Sequence, residues 1–499
     1  MKKKKRIVLL SSIALGALIV GGIYFICRRD RNVTVVSPTC LENGYTIYEK
    51  DGKTQIKNVV PAKGHKFEDW VVLREIGEVT CGLQERTCAV CGEKEEQILY
   101  PQLDIPRLCF DGDISGIDKT QQAKVRVDFL GADVQFNGYA QLKHQGHESL
   151  KYDKKNFTVK FYEDENCDQK KQFVFNDWNP ENKFILKANY IDASRSRNLI
   201  CADIWSQMVS TRDGVSDRLL QTSHHGAVDG FPVAVYLNGE FLGLYNLTLH
   251  KDDGLFSMED GQKDGIAIIN KGNTPEAFFK HTIDWENADD WEIEYCGTND
   301  EAWIKEKVNQ FVAFVMDSSD EDFKTRLSDY ADVNSMIDYM IAAYSLGLQA
   351  NFSKDLIFFT YDDGVWNASL FDMETAFGFV EAEHAFSASN EGLPLWGDGV
   401  WYSNTESLLW DRFINVFFDQ IAERYQNLRK TVLSESNITA VIRQRVGAIP
   451  QAVNLADLEL YPDQPMQDIS HEDQMTGYAK ERLALLDDIF RCTRKGESK

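Results

Sequence analysis

Three carboxylates carry the first chemical signal in the sequence. Asp355 stands just before an aromatic and β-branched run, Leu356 to Tyr361, and Asp372 and Glu374 follow a second such run, Val365 to Phe371. Between the runs, Asp362-Asp363-Gly364 supplies hairpin-turn chemistry. A hairpin returns both of its outer ends to one edge, so Asp355, Asp372 and Glu374 are brought together. Oxygen ligands gathered in this way suit a hard divalent cation such as Mg²⁺. Acidic residues at strand ends also serve simply as solvated turn residues, and spacing alone leaves both readings open.

The whole stretch, K-D-L-I-F-F-T-Y-D-D-G-V-W-N-A-S-L-F-D-M-E-T-A-F-G, resembles the core of the spore-coat CotH kinase family, a group of atypical, secreted or surface protein kinases. Lys354, Trp366, Asp372, Thr375 and Gly378 carry the match. Phosphoryl transfer asks little covalent chemistry of a protein beyond holding Mg²⁺ and orienting the acceptor hydroxyl. The resemblance implies Asp372 as a Mg²⁺ ligand, Asp355 in the place of the family's metal-binding Asn, and Glu374 in the place of the second Asp of D-M-D. It also places Ala350 where the family has its catalytic Asp. Losing a general base typically costs about 10²–10⁴-fold in rate. The candidate catalytic set is therefore Asp355, Asp372 and the adjacent Asn351, and nucleotide binding is better supported than catalysis.

Two upstream segments extend the match. In FILKANYIDASRSRNLICADIW, 184–205, a strand ends at Lys187, Asp192 and Ser194 have capping side chains, and an amphipathic helix runs from Arg197 to Met208. Lys187 is the candidate for the lysine that pairs with nucleotide phosphates, and Lys160 is the runner-up. Asn189, Asp192, Arg197 and Asn198 follow the family pattern at the implied lobe junction, and Asn189 and Arg197 complete the implied cofactor-binding set. In LKHQGHESLKYDKKNFTVKFY, residues Gly146, Ser149, Lys154, Lys155 and Lys160 match, with Gln145 where the family usually has Arg. A Gly and Ser loop between strands can offer backbone N–H groups to phosphates.

The elements that must position these residues read as strands first and helices later. GFPVAVYLNGEFLGLYNLTLH, with Asn238-Gly239 at its turn, is a strong hairpin signal. The acidic stretch from Gly254 to Gly297 reads as an irregular insertion. Helical periodicity follows over 303–316, 320–327 and 333–346, and again over 404–412, 416–433, 438–446 and 478–491.

At 499 residues, 43% apolar and 12% aromatic, the chain can bury a large core. Residues 1–6 form a basic tail, and 7–27 is an apolar run followed by Arg28 and Arg29. At about 1.5 Å per residue this run spans a bilayer, and the charge bias predicts an uncleaved, single-pass anchor in the cell membrane with the bulk of the chain outside, a cleaved signal peptide being the alternative. The first 31 residues hold eight Lys and Arg and one acidic residue, which leaves 46 basic against 77 acidic residues in the remainder. Such acidity excludes a nucleic-acid partner and favours basic protein segments.

Residues 37–100 read as a small cysteine-containing module, two eroded copies of one unit. Cys88-x-x-Cys91-Gly92 has the shape of a zinc knuckle, and Cys81 with His65 (or Cys40 in its place) completes a tetrahedral set for structural Zn²⁺. Disulfide bonding is the competing reading.

The resemblance, which covers 106–495, implies an α+β, two-lobed atypical protein-kinase-like fold with a β-rich first lobe and a helical second lobe. A transmembrane helix and a small zinc-ribbon-like β module are expected to precede it. The implied function is transfer of the ATP γ-phosphate, with Mg²⁺ or Mn²⁺, to Ser or Thr of surface or secreted proteins. The alternative is a catalytically inactive pseudokinase serving as a surface binding or scaffold protein. A metal-dependent hydrolase ranks last, for want of a water-activating base.

Overall fold

The computed structural model describes residues 32–378 except 51, 147, 273 and 349, together with 407–464 and 472–491. Two compact units divide after Pro101. In the first, β1 (Asn32–Val36), β2 (Gly44–Lys50) and β3 (Lys53–Val60) form one antiparallel meander, and β4 (Val71–Arg74), β5 (Gly82–Thr87) and β6 (Lys94–Leu99) form another. Little apolar surface is hidden here. Among the described residues its buried apolar side chains are Cys40, Val79, Cys81 and Cys88.

The second unit begins with a closed seven-stranded barrel. Its strands are β7 (Arg107–Asp111), β8 (Ala123–Leu130), β9 (Gln135–Gln145), β10 (Asn156–Tyr162), β11 (Lys183–Lys187), β12 (Gly230–Leu237) and β13 (Glu240–Thr248), in the order β10-β11-β13-β12-β7-β8-β9. Neighbours are antiparallel except β12 and β7, which run parallel with Ala234 opposite Arg107. Alternation along β8 and β9 sends Val125, Val127, Phe129, Phe136, Ala140 and Leu142 into the core, as a period of two requires. The β12–β13 turn has both Asn238 and Gly239 at positive φ, 51° and 78°, the backbone that Asn-Gly favours. Between β11 and β12 run α1 (Arg197–Ser210) and the single turn α2 (Asp217–Leu220).

A second antiparallel sheet follows, built of β14 (Gly265–Ile269), β15 (Trp291–Cys296), β16 (Leu356–Thr360) and β17 (Asn367–Leu370) in the order β15-β14-β16-β17. Between β15 and β16 lie α3 (Ala302–Asp317), α4 (Asp320–Arg326) and α5 (Val333–Leu346). After β17 come α6 (Leu408–Leu428), α7 (Glu435–Gly447), α8 (Gln451–Leu460) and α9 (Glu472–Arg491). Asp332 caps α5 by accepting the Ser335 N–H, and Gly347, at φ 75°, ends it. From Ser335 to Leu346 this helix is buried throughout, so it is the post on which the hairpin β16–β17 stands.

Three expectations are corrected. The two-lobed kinase-like arrangement is replaced by a closed barrel joined to a second sheet and helices, because one continuous apolar core runs from Leu108 to Phe490 and Gln102–Lys499 is a single compact unit. No helix among the described residues is long and apolar enough to cross a membrane, and the expected transmembrane run 7–27 lies outside the described residues. The stretch 254–297 is not an irregular insertion. It holds β14, whose GIAII run is buried at every position, so it has no polar alternation to mark it as a strand.

Candidate functional site

Leu356 pairs with Leu370, so Asp355 and Asp372 leave the β16–β17 hairpin at the same end. Both take left-handed backbone conformations, with φ of 55° and 52°, which Asp tolerates better than most residues. The Asn351 amide fixes this end by donating to the carbonyl of Asp355 at 3.2 Å and to that of Phe371 at 2.8 Å. Its side-chain N–H groups are thereby spent on the backbone, and its role is to hold the two strand ends together.

Lys187, the last residue of β11, comes to the hairpin from the barrel. Its Nζ lies 2.6 Å from Asp372 Oδ1 and 3.8 Å from Glu374 Oε2. Burial would lower its pKa, but Asp372 and then Glu374 more than offset that and hold it above the usual lysine range. Burial likewise works to raise Asp372, and Lys187 overrides it, so this carboxyl stays below its usual value. The other two carboxyls go the opposite way. Burial, with the Asp372 charge behind it, pushes Asp355 well above the carboxylate range, although Lys354 stands 3.4 Å away. Burial also lifts Glu374 to about 7 against the pull of Lys187. Two lysines, Lys187 and Lys354, stand among the three carboxyls, of which Asp372 is held ionised while Asp355 and Glu374 are held toward the neutral form, so a divalent cation bound here would displace protons from Asp355 and Glu374.

The turn after Lys187 locks to the hairpin exit through asparagines. Asn189, at φ 44°, accepts at its side-chain oxygen from Asn198, and Asn198 Oδ1 accepts the Met373 N–H at 2.7 Å. Arg197 is fully buried, donates to the Ala376 carbonyl and Gln474, and pairs with Asp192. It therefore fastens the chain after Asp372 to α1 and α9, and touches no opening. Lys160 is also away from the cluster. It pairs in register with Lys183, four residues and about 13 Å along β11 from Lys187.

A pocket opens beside the Lys187–Asp372 pair, with Ile185, Val228, Leu249 and Phe371 as its apolar lining and Lys251 at its rim. Two further lining residues, Gln145 and Asn246, have side-chain oxygens that are buried without a hydrogen-bond partner among the described residues. Unsatisfied acceptors in an apolar slot that Lys187 and Asp372 also line can receive the N–H donors of a flat heterocycle beside a charged group. The Gly146 and Ser149 loop starts at Gln145, on the pocket edge. Lys251 was not singled out in the sequence, and Lys354 and Asn198, which follow the family pattern, were given no part in binding. Lys354 had a signal, being adjacent to Asp355, whereas Lys251 enters only through the end of β13.

In the amino-terminal unit, the ligand atoms of Cys40, His65, Cys88 and Cys91 all lie within 4.8 Å of one another, a group able to hold a metal ion. The expected set is corrected at one position. Cys40 takes the place given to Cys81, which is buried next to β5 but outside the group.

A search of curated proteins found no match for the chain. Residues 142–486 match the family described as CotH kinase protein. That interval contains Lys187, Asp355, Asp372 and Glu374 and covers well over half of the 499 residues. The chain belongs to the CotH kinase protein family.

Proposed function

We propose that the second unit is an ATP-dependent protein kinase of the CotH type, acting on Ser or Thr of surface or secreted proteins. The observation that carries the reading is the placement of Lys187 against Asp372, with Glu374 and Asp355 around them, at the mouth of an apolar pocket. ATP with a divalent cation would supply a phosphoryl group already activated for transfer. Asp372, Asp355 and Glu374 are the ligands for Mg²⁺ or Mn²⁺, and Lys187 is the counter-charge for the phosphates. Asn189 and Asn198 keep the lysine turn and the Asp372 exit in register, and Asn351 keeps both hairpin ends in place. The net acidity of the chain supports a basic acceptor segment, and the basic-flanked apolar run 7–27 supports an extracytoplasmic setting.

A second reading is favoured by one residue. Ala350 occupies the place of the family's catalytic Asp, and alanine can neither accept a proton nor orient a hydroxyl. On that reading the protein binds nucleotide and serves as a silent binding or scaffold module.

The experiment is transfer of labelled γ-phosphate from ATP, with Mg²⁺ or Mn²⁺, to the protein itself and to a basic acceptor. Incorporation that disappears in Asp372→Ala supports the kinase. Nucleotide binding without incorporation supports the silent module, and absence of both would remove the pocket from consideration.

A further inference from the structure

The amino-terminal unit lacks the means to hold itself together by burial. Among its described residues three of the four buried apolar side chains are cysteines, and β3 and β4 are exposed along their whole length. Units this small and this poor in core normally need a metal or a covalent staple.

Three of the cysteines and the histidine have geometry to match. Cys40 Sγ and Cys88 Sγ are 3.8 Å apart, and Cys91 Sγ lies 3.2 Å from His65 Nδ1. Thiolates bonded at about 2.3 Å to a tetrahedral zinc sit about 3.8 Å from each other. Backbone from the connection between the meanders and from the β5–β6 turn closes on the group. The Lys66 N–H donates to Cys88 Sγ at 3.3 Å, the Ala89 N–H donates back to the Lys66 carbonyl at 2.9 Å, and Gly92, at φ 77°, turns the knuckle so that its N–H reaches the Cys88 carbonyl. A disulfide would engage two of the four side chains and leave the other two facing it. Only a metal uses all four.

The pattern of erosion supports the same set. The first copy keeps Thr39-Cys40 and Gly64-His65 but has no C-x-x-C, and the second keeps Thr80-Cys81 and Cys88-x-x-Cys91 but has no G-H. Neither copy holds a complete set alone. One complete set exists across the two, and Cys81 is the counterpart of Cys40 for a site whose G-H is missing.

We propose that Cys40, His65, Cys88 and Cys91 bind one structural zinc ion that staples the two meanders of the amino-terminal unit together. Two thiols and the imidazole are already at least partly sheltered, and with four protein ligands the ion has no open position, so its role is in folding and not in catalysis. This inference is independent of the kinase reading, because it involves neither the pocket nor phosphate transfer.

The test is elemental analysis of the full chain, purified with and without reductant, alongside Cys40→Ser and Cys81→Ser. The expected result is about one zinc per chain in the unaltered protein and in Cys81→Ser, with loss of nearly all of it in Cys40→Ser. Should Cys40→Ser fail to fold, replacement of zinc by Co²⁺ in Cys81→Ser decides the matter, because charge-transfer absorption grows with the number of thiolate ligands and the intensity of three thiolates without Cys81 requires Cys40. Zinc lost from Cys81→Ser and kept by Cys40→Ser would overturn the assignment. So would a zinc-free protein in which alkylation before and after reduction counts a disulfide among Cys40, Cys88 and Cys91.

Discussion

Lys187 Nζ donates to Asp372 Oδ1 at 2.6 Å although 185 residues separate them in the chain. The barrel supplies the lysine and the second sheet supplies the carboxylate, so this one contact reports whether the two sheets are correctly placed. It also sets up a competition. A divalent cation arriving at Asp372 must share that carboxylate with an ammonium already seated on it.

Replacing Lys187 by Met separates the two roles. Phosphate transfer is expected to fall by about 10²–10³-fold, the usual cost of removing one charge-stabilising donor from an active site. Mn²⁺ binding is expected to hold or tighten, since the competing ammonium is gone. Asp372→Ala should lose both. Titration of Mn²⁺ and labelled ATP against the two variants, with circular dichroism to check the fold, measures this. Unchanged transfer in Lys187→Met would remove the lysine from the phosphate site.

Restoring the family residue tests the second reading. If a basic carboxylate is all the site lacks, Ala350→Asp should raise phosphate transfer by about 10²–10⁴-fold. The change is read by initial rate at saturating ATP, where binding no longer limits it. A rate that stays at background, with nucleotide still bound, would favour the silent module.

Glu374 predicts a pH dependence whose sign can be worked out. Its carboxyl is raised to about 7 in the folded protein, so between its ordinary value and pH 7 the folded state binds more protons than the unfolded one. The group therefore disfavours folding progressively as pH rises through that window. Cation binding needs the ionised form of Glu374 and of Asp355, whose carboxyl is raised as well, so affinity for Mn²⁺ should climb as pH rises through 7, with proton release on binding that includes the proton of Glu374. Calorimetry in buffers of different ionisation enthalpy counts that proton. In Glu374→Gln the climb should flatten, and a wild-type affinity independent of pH from 5.5 to 8 would contradict the assignment.

The hairpins were legible in the sequence because their turns are local. Asn238-Gly239 and Asp362-Asp363-Gly364 mark the reversals, and the residues flanking them then converge by geometry alone. Barrel closure was not legible. It depends on β12 lying parallel to β7 with Ala234 opposite Arg107, a pairing across most of the barrel that no local residue announces. Strand β14 was hidden by burial on both faces, which removes the alternation that identifies a strand. Lys187, Asp372 and Glu374 could be named individually from the resemblance, but their mutual distances needed the two sheets. Cys40 was named only as an alternative to His65, with Cys81 kept in the set, because two equivalent T-C pairs look alike until the chain shows which one reaches the knuckle.

The last prediction concerns a carboxylate that the sequence did not mark. Asp457, on α8, is fully buried, with Lys154 Nζ 2.7 Å from Oδ1 and Arg195 on Oδ2, both of them also without exposure. Oδ1 accepts the Leu244 N–H from β13 as well, at 2.8 Å. Burial pulls Lys154 down to about 7 even though Asp457 opposes the shift, so this ammonium has little to spare. Removing the carboxylate charge with Asp457→Asn leaves two cations facing an amide, and uncompensated buried charge costs about 3–5 kcal/mol. Lys154→Met should cost less, since Arg195 still neutralises Asp457. Urea unfolding of both variants measures the difference, and because α8 packs on β13 through this carboxylate, the loss should appear as a lower midpoint for the whole second unit. Equal stability of Asp457→Asn and the unaltered protein would mean that neither the Lys154 nor the Arg195 pairing contributes net stability, and would contradict this account.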